Sequence, residues 1–177
     1  MTTSTADAET FSLASVVSRL ARLLAGGGSV SHGDLAALRR MEPQRPAAAF
    51  FKLEGLVLDE HLPGDAAERA EMETRWAAII VGLARLGPLH QPSQRLGFAL
   101  AEAPYSELRF ARLLRADANR LVDELPALAR FLAAKGQAAD WTAAAQLILS
   151  AGRNNEESVR RHLARDYYGS LARQERS

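Results

Sequence analysis

Arg109, Arg112 and Arg115 stand three residues apart, and on a helix that spacing stacks their guanidinium groups along one ridge. Like charges so placed repel unless something negative sits among them, and the planar fork of arginine suits a phosphate or a carboxylate. Projected on an ideal helix, Phe110, Leu114, Ala118 and Leu121 gather on one side while Arg112 and Arg115 point nearly opposite, with Arg109 flanking them. Two neutralisers are open at this point. One is an external phosphate; the other is the pair Glu107 and Asp117, of which the first lies at the edge of the ridge and the second off it. Arg120 adds a further cation just beyond. Arg161 and Arg165, four apart, form a second outward pair, with Tyr168 nearby as a stacking surface for a base. Arg160 falls nearer the apolar side and reads as a structural residue paired with an acid. Arg39 and Arg40 end a short predicted helix, where cations equally complement the helix dipole.

Other chemistry finds little to work with. The chain has no cysteine, which excludes disulfides, thiolate metal sites and cysteine nucleophiles. His32, His61, His90 and His162 are too far apart in sequence for any two to meet on one helix face, so no metal site and no cofactor is expected. Asp59, Glu60 and His61 have the types of a base and its orienter, yet no partner motif accompanies them and a solvated helix end is the simpler reading. Gly26, Gly27 and Gly28 lack the Lys-Ser/Thr pair of a phosphate loop and read as a helix stop. No serine sits in a nucleophile elbow, and Glu71 and Glu73 have the look of an exposed helical face. The residues point to a protein that is not an enzyme.

The charge is distributed in a way that fits the arginine ridge. Net charge is only +1, too little for a surface coated with DNA-neutralising groups. Residues 1–84 nevertheless hold 8 basic against 11 acidic residues, while residues 85–177 hold 14 against 10, so the second half carries the positive excess. Arginine supplies 20 of the 22 basic residues, a bias that a GC-rich genome explains as well as phosphate binding does. Hydrophobic residues at 47% and charged ones at 24% are globular proportions. The Thr/Ala-rich Met1–Thr10 shows no basic segment followed by an apolar run, and no stretch reaches membrane-spanning length. A cytoplasmic protein, neither secreted nor embedded, is expected.

The elements that must position these groups are all helical. Apolar residues recur at helical spacing throughout and no segment alternates like a strand, which predicts an all-α fold of about nine helices. Leu13, Val16, Val17, Leu20 and Leu24 stripe the first; Ser31 caps a second through Leu38; Pro46 opens a third with Phe50, Leu53 and Val57. A longer helix places Met72, Trp76, Ile79, Ile80, Leu83 and Leu86 on one face, and Gly87-Pro88 breaks it. Ser93 and Ser106 then cap helices on either side of Pro104, the second running to about Ala118. Leu125, Leu128, Phe131 and Leu132 mark the next helix, which stops at Gly136; Asp140 and Asn155 cap the last two. The loop around Pro88 to Pro92 divides the chain into two predicted bundles, 1–92 and 93–177, the second with the basic surface.

With the residues laid out, the chain resembles a known family: CasB, the small subunit of the type I-E CRISPR surveillance complex called Cascade. The resemblance is carried by Leu38-Arg39-Arg40, Glu42-Pro43 and Ala49-Phe50-Phe51-Lys52-Leu53, then by Leu96-Gly97-Phe98-Ala99-Leu100-Ala101 with the block from Ser106 to Asp117, then by Asp140-Trp141. It covers roughly Leu35 to Tyr168. Where family members often carry a late tryptophan after the Asp-Trp pair, this chain has Gln146-Leu147-Ile148-Leu149, a departure that touches packing. The resemblance implies an all-α, non-enzymatic protein of two helical bundles, present as two copies in Cascade beside the crRNA-bound backbone subunits and the large subunit. It also implies a basic surface that stabilises the R-loop by touching target DNA and the displaced strand while RNA pairing reads the sequence. By motif position that role reaches Arg39, Arg40, Arg109, Arg112 and Arg115; Arg120, Arg161 and Arg165 enter on charge alone. The main alternative is a helical adaptor whose arginines meet acids on a protein partner. A helix-turn-helix regulator is weaker, because no tight turn leads into a basic recognition helix.

Overall fold

Side-chain caps decide where most of the helices begin. In the computed structural model, which describes residues 12–26 and 28–177, Ser12, Ser31, Asp65, Ser106, Asp117 and Asp140 each accept a backbone N–H from the first turn of the helix that follows. The helices are α1 (Leu13–Leu24), α2 (His32–Arg40), α3 (Ala48–Leu53), α4 (Ala66–Leu86), α5 (Leu96–Glu102), α6 (Glu107–Arg115), α7 (Ala118–Ala134), α8 (Trp141–Ser150) and α9 (Glu156–Gln174). The fold is all-α as expected, and among the described residues extended pairing is limited to a single bridge between His90 and Ala139. Met1–Phe11 and Gly27, hence the Thr/Ala-rich opening and the middle glycine of the helix stop, lie outside the described residues.

Several boundaries differ from the sequence expectation, each for a local reason. Pro46 does not open α3; Ala47 stands at the N-cap, and past Leu53 the chain continues as a π-helical turn over Glu54–Leu58 and a 3-10 turn over Asp59–His61. Arg95, not Ser93, precedes α5, and Asn155 precedes α9 without lending its side chain. The helix capped by Ser106 ends at Arg115 instead of reaching Ala118, because Ala116 is extended (φ −66°, ψ 133°) and Asp117 starts α7. Aspartate gains more as an N-cap than inside a helix, so the chain turns a corner there.

Helix α4 is the axis of the molecule. Every residue from Arg75 to Ala84 is buried, so the one-faced stripe expected from the sequence becomes a helix enclosed on all sides. It packs on α1 and α2, and equally on α7 and α8. The buried apolar residues accordingly form one cluster that runs from Val16 through Leu58 and Ile80 to Leu128 and Tyr167, across the loop near residue 92. That loop is itself clamped to the start of α8: the Ala139 N–H donates to the Leu89 carbonyl (2.9 Å), Gln91 N–H to the Ala139 carbonyl (3.1 Å), and Trp141 N–H to His90 Nδ1 (3.1 Å).

Two glycines set the closest approaches. Gly82 of α4 lies against the Trp141 ring, whose Nε1 donates to the Ile79 carbonyl at 3.0 Å; a Cβ on Gly82 would come within 2.1 Å of that ring. Gly97 lets α5 press onto α9, since a Cβ there would meet the Leu163 carbonyl and the Tyr167 nitrogen at 2.8 Å each. Leu96-Gly97-Phe98 is therefore a packing block, and it holds α9 behind α6 by way of Tyr167.

Candidate nucleic-acid interface

Helix α6 is anchored by its inner face. Phe110 and Leu113 are buried, and Phe110 stacks on Tyr167 with centroids 3.8 Å apart and planes at 15°. The Tyr167 hydroxyl donates to the Tyr105 carbonyl at 2.5 Å, which ties the turn before α6 to α9. At the far end, Arg160 Nη2 donates to the Ala116 carbonyl (2.9 Å) and pairs with Glu156, so the corner between α6 and α7 is pinned from α9. Arg160 is the structural residue that its position suggested.

With both ends fixed, the outer face of α6 and the start of α7 form a groove. Arg109, Arg112 and Arg120 line a cavity of about 300 Å³ together with Glu124, Tyr105 and Phe131. Among the described residues, Arg109 and Arg112 have no ion pair or hydrogen bond from their side chains, and Glu107 and Asp117 neutralise neither. Asp117 is spent on capping α7, accepting from Arg120 N–H at 2.9 Å. Arg120 reaches Glu124 at 3.4 Å, a loose i,i+4 pair with the arginine largely in solvent. Tyr105 and Phe131 meet edge to face at 5.1 Å and give the groove an aromatic floor. Burial pushes the Tyr105 phenol up from its ordinary value, Glu124 adds to that and Arg109 opposes it, so the hydroxyl stays protonated and uncharged.

The other expected residues go elsewhere. Arg115 leaves the ridge, because the corner at Ala116 turns it into a separate open cavity of about 710 Å³ beside Arg75, Arg160, Glu71 and Glu156. Arg161 is paired with Glu157 at 2.8 Å, both partners well exposed, while Arg165 is exposed and has no such partner among the described residues. Tyr168 keeps 42% of its surface exposed and packs edge-on against Phe110 and Tyr167. Arg39 donates Nε to the Ala84 carbonyl at 2.9 Å, and Arg40 beside it is exposed without an ion pair. Asp59 accepts from Arg69 Nη2 at 2.7 Å, and Arg69 also reaches Glu54 (2.5 Å) and Glu73 (3.1 Å), which raises the Arg69 pKa above the ordinary arginine range, Asp59 contributing most. The Asp59–His61 segment thus belongs to an ion-pair network.

Sequence reasoning passed over two arginines that the fold relies on. Arg75, buried within α4, donates Nη1 to the Ile148 and Ala151 carbonyls (3.0 and 2.9 Å) and so closes the C-terminus of α8, while its Nη2 meets Glu71 at 2.5 Å. Arg85 donates Nε to the Arg39 carbonyl and Nη1 to the Pro126 carbonyl, both at 3.0 Å, joining α2, α4 and α7. Their one visible signal is a position inside or at the end of an otherwise apolar run.

Fold and site together define an all-helical protein with an arginine-lined surface groove, in which no His/Asp/Glu group able to hold a metal occurs among the described residues. No described helix is long and apolar enough to cross a membrane. Residues 34–168 match the family described as CRISPR-associated protein Cse2, and the chain belongs to that family, the small subunit of the type I-E Cascade complex. The family is a structural Cascade subunit and not a known enzyme. Neither the curated proteins nor the solved structures contain a match to the chain.

Proposed function

We propose that this Cascade subunit holds nucleic acid without sequence specificity, using the α6–α7 groove, and thereby stabilises the R-loop at the target and displaced DNA strands. The observation that carries this reading is the convergence of Arg109, Arg112 and Arg120 on one cavity while the first two lack any acidic partner among the described residues. Guanidinium groups left unneutralised on a surface attract a repeating anion, and phosphate backbone supplies one at every nucleotide. Tyr105 and Phe131 beneath them suit an unpaired base better than a duplex. Arg165, on α9 with Tyr168, extends the positive surface, and Arg115 and Arg161 are lesser contacts, since one opens onto a mixed-charge cavity and the other is held by Glu157. The working context is the cytoplasm, with the crRNA-bound backbone subunits, the large subunit and a second copy of this chain as neighbours.

The test is affinity for a single-stranded oligonucleotide across a salt series. If both residues touch phosphates, Arg109→Gln/Arg112→Gln should flatten the log-log salt slope by about 1.4. Arg115→Gln alone should change it by less than half of that. Equal slopes for the wild type and the folded double variant would overturn the reading in favour of a helical adaptor whose arginines meet a protein partner.

A further inference from the structure

A second surface, on the opposite flank of α4, carries a different chemistry. The ends of α1, α2 and α4 enclose a cavity of about 340 Å³ lined by Leu24, Leu35, Leu83, Ala84 and Pro88, with Arg39 as its one charged residue. It has no aromatic platform and no carboxylate in its lining. Around it lie cations bound only to neutral groups: Arg39 to the Ala84 carbonyl, and Arg85 to the Arg39 and Pro126 carbonyls. Arg40 and Arg130 are exposed and have no ion pair among the described residues. Burial, then the charge of Arg130, holds the Arg85 guanidinium below the ordinary arginine range.

The helix dipoles do not cancel this positive field. Three C-terminal ends meet here, each worth about half a negative charge and effective only over the last turn, against four formal positive charges. The last carbonyls are also largely occupied, since Ala21 and Leu23 accept from the Ala25 and Gly26 N–H groups, Leu38 from Met41, and Leu83 from Gly87. A net positive rim around an apolar hollow remains. Nucleic acid fits it poorly, because the hollow offers a base nothing to stack on.

We infer that the α1–α2–α4 cavity docks a segment of a partner protein in which an apolar side chain fills the hollow and an adjacent carboxylate meets the Arg39–Arg40–Arg85 rim. Charge complementarity selects that occupant over a basic one, and the apolar lining selects a protein over a phosphate backbone. The surface is separate from the α6–α7 groove, so its role stands or falls independently of nucleic-acid binding.

Sodium hexanoate is the probe, with hexylammonium chloride as the control of equal tail and opposite charge, followed by amide NMR on the full chain. Hexanoate should move the Leu83, Ala84 and Arg39 amides, hexylammonium should not, and Arg40→Glu should weaken the hexanoate response. Ala25→Trp, at the exposed edge of the cavity, plugs the hollow; in co-expression with the remaining Cascade subunits and a crRNA it should reduce retention of this chain about tenfold, while its oligonucleotide affinity and thermal midpoint stay at wild-type values. Equal responses to hexanoate and hexylammonium, displacement of hexanoate by an oligonucleotide, or full retention of a folded Ala25→Trp subunit would each overturn the inference.

Discussion

At the scale of single residues, what separates a structural arginine from a surface one is whether the fold gives it an acceptor. Arg75, Arg85 and Arg160 each donate to main-chain carbonyls at element ends, whereas Arg109 and Arg112 find none. Those element ends are tertiary facts, which is why sequence spacing placed Arg112 with Arg115 while the structure places it with Arg109 and Arg120. His90 gives a residue-scale prediction of another kind. Its Nδ1 accepts the Trp141 N–H, and burial lowers its pKa below the ordinary 6.5 despite the opposing pull of Asp140. A base with a depressed folded pKa binds its proton more readily when unfolded, so the stability it contributes is fully present above about pH 6.5 and is lost as pH falls through the folded value. Chemical denaturation between pH 7.5 and 5 should show that decline in the wild type. In His90→Gln, whose amide oxygen can still accept from Trp141, the part due to this residue should vanish; an unchanged pH dependence would show that His90 titrates normally.

At the scale of elements, two helix pairs are set by missing side chains. Gly97→Ala would drive a methyl into the Leu163 carbonyl and the Tyr167 nitrogen, backbone atoms that yield only if α5 and α9 separate. We expect a loss of about 2–3 kcal/mol, in the range of overpacked cores, read as a lower urea midpoint. Because α9 bears the Tyr167 that stacks on Phe110, the same variant should also weaken oligonucleotide binding at the groove. Destabilisation without any loss of affinity would mean that α6 holds its place without α9. The corner at Ala116–Asp117 is the other decisive element feature, since a continuous helix would have kept Arg112 and Arg115 on one ridge.

At the scale of the whole molecule, the buried helix α4 couples the two halves proposed from the sequence. Residues 1–92 supply α4, and residues 93–177 supply the α7 and α8 that cover it, with Trp141 wedged against Gly82. Removing either half would expose most of the apolar surface between Trp76 and Leu86. Unfolding followed by tryptophan fluorescence, which reports Trp76 and Trp141, should therefore coincide with unfolding followed by far-ultraviolet circular dichroism. Two resolved transitions would restore the division near residue 92 as one between independently folding units.

Much of this was written in local sequence. Helix identity follows from apolar periodicity and from caps such as Ser31, Ser106, Asp117 and Asp140, which act within one turn and need no partner elsewhere. The family, likewise, is carried by residues in order along the chain. Long-range geometry was not so written: that α4 is enclosed on every side, that Gly82 and Gly97 admit a ring and a helix, and that three arginines converge while a fourth turns away. Those outcomes depend on which surfaces meet across tens of residues, and a helix end or a carbonyl becomes an acceptor for a distant guanidinium only when packing brings it there.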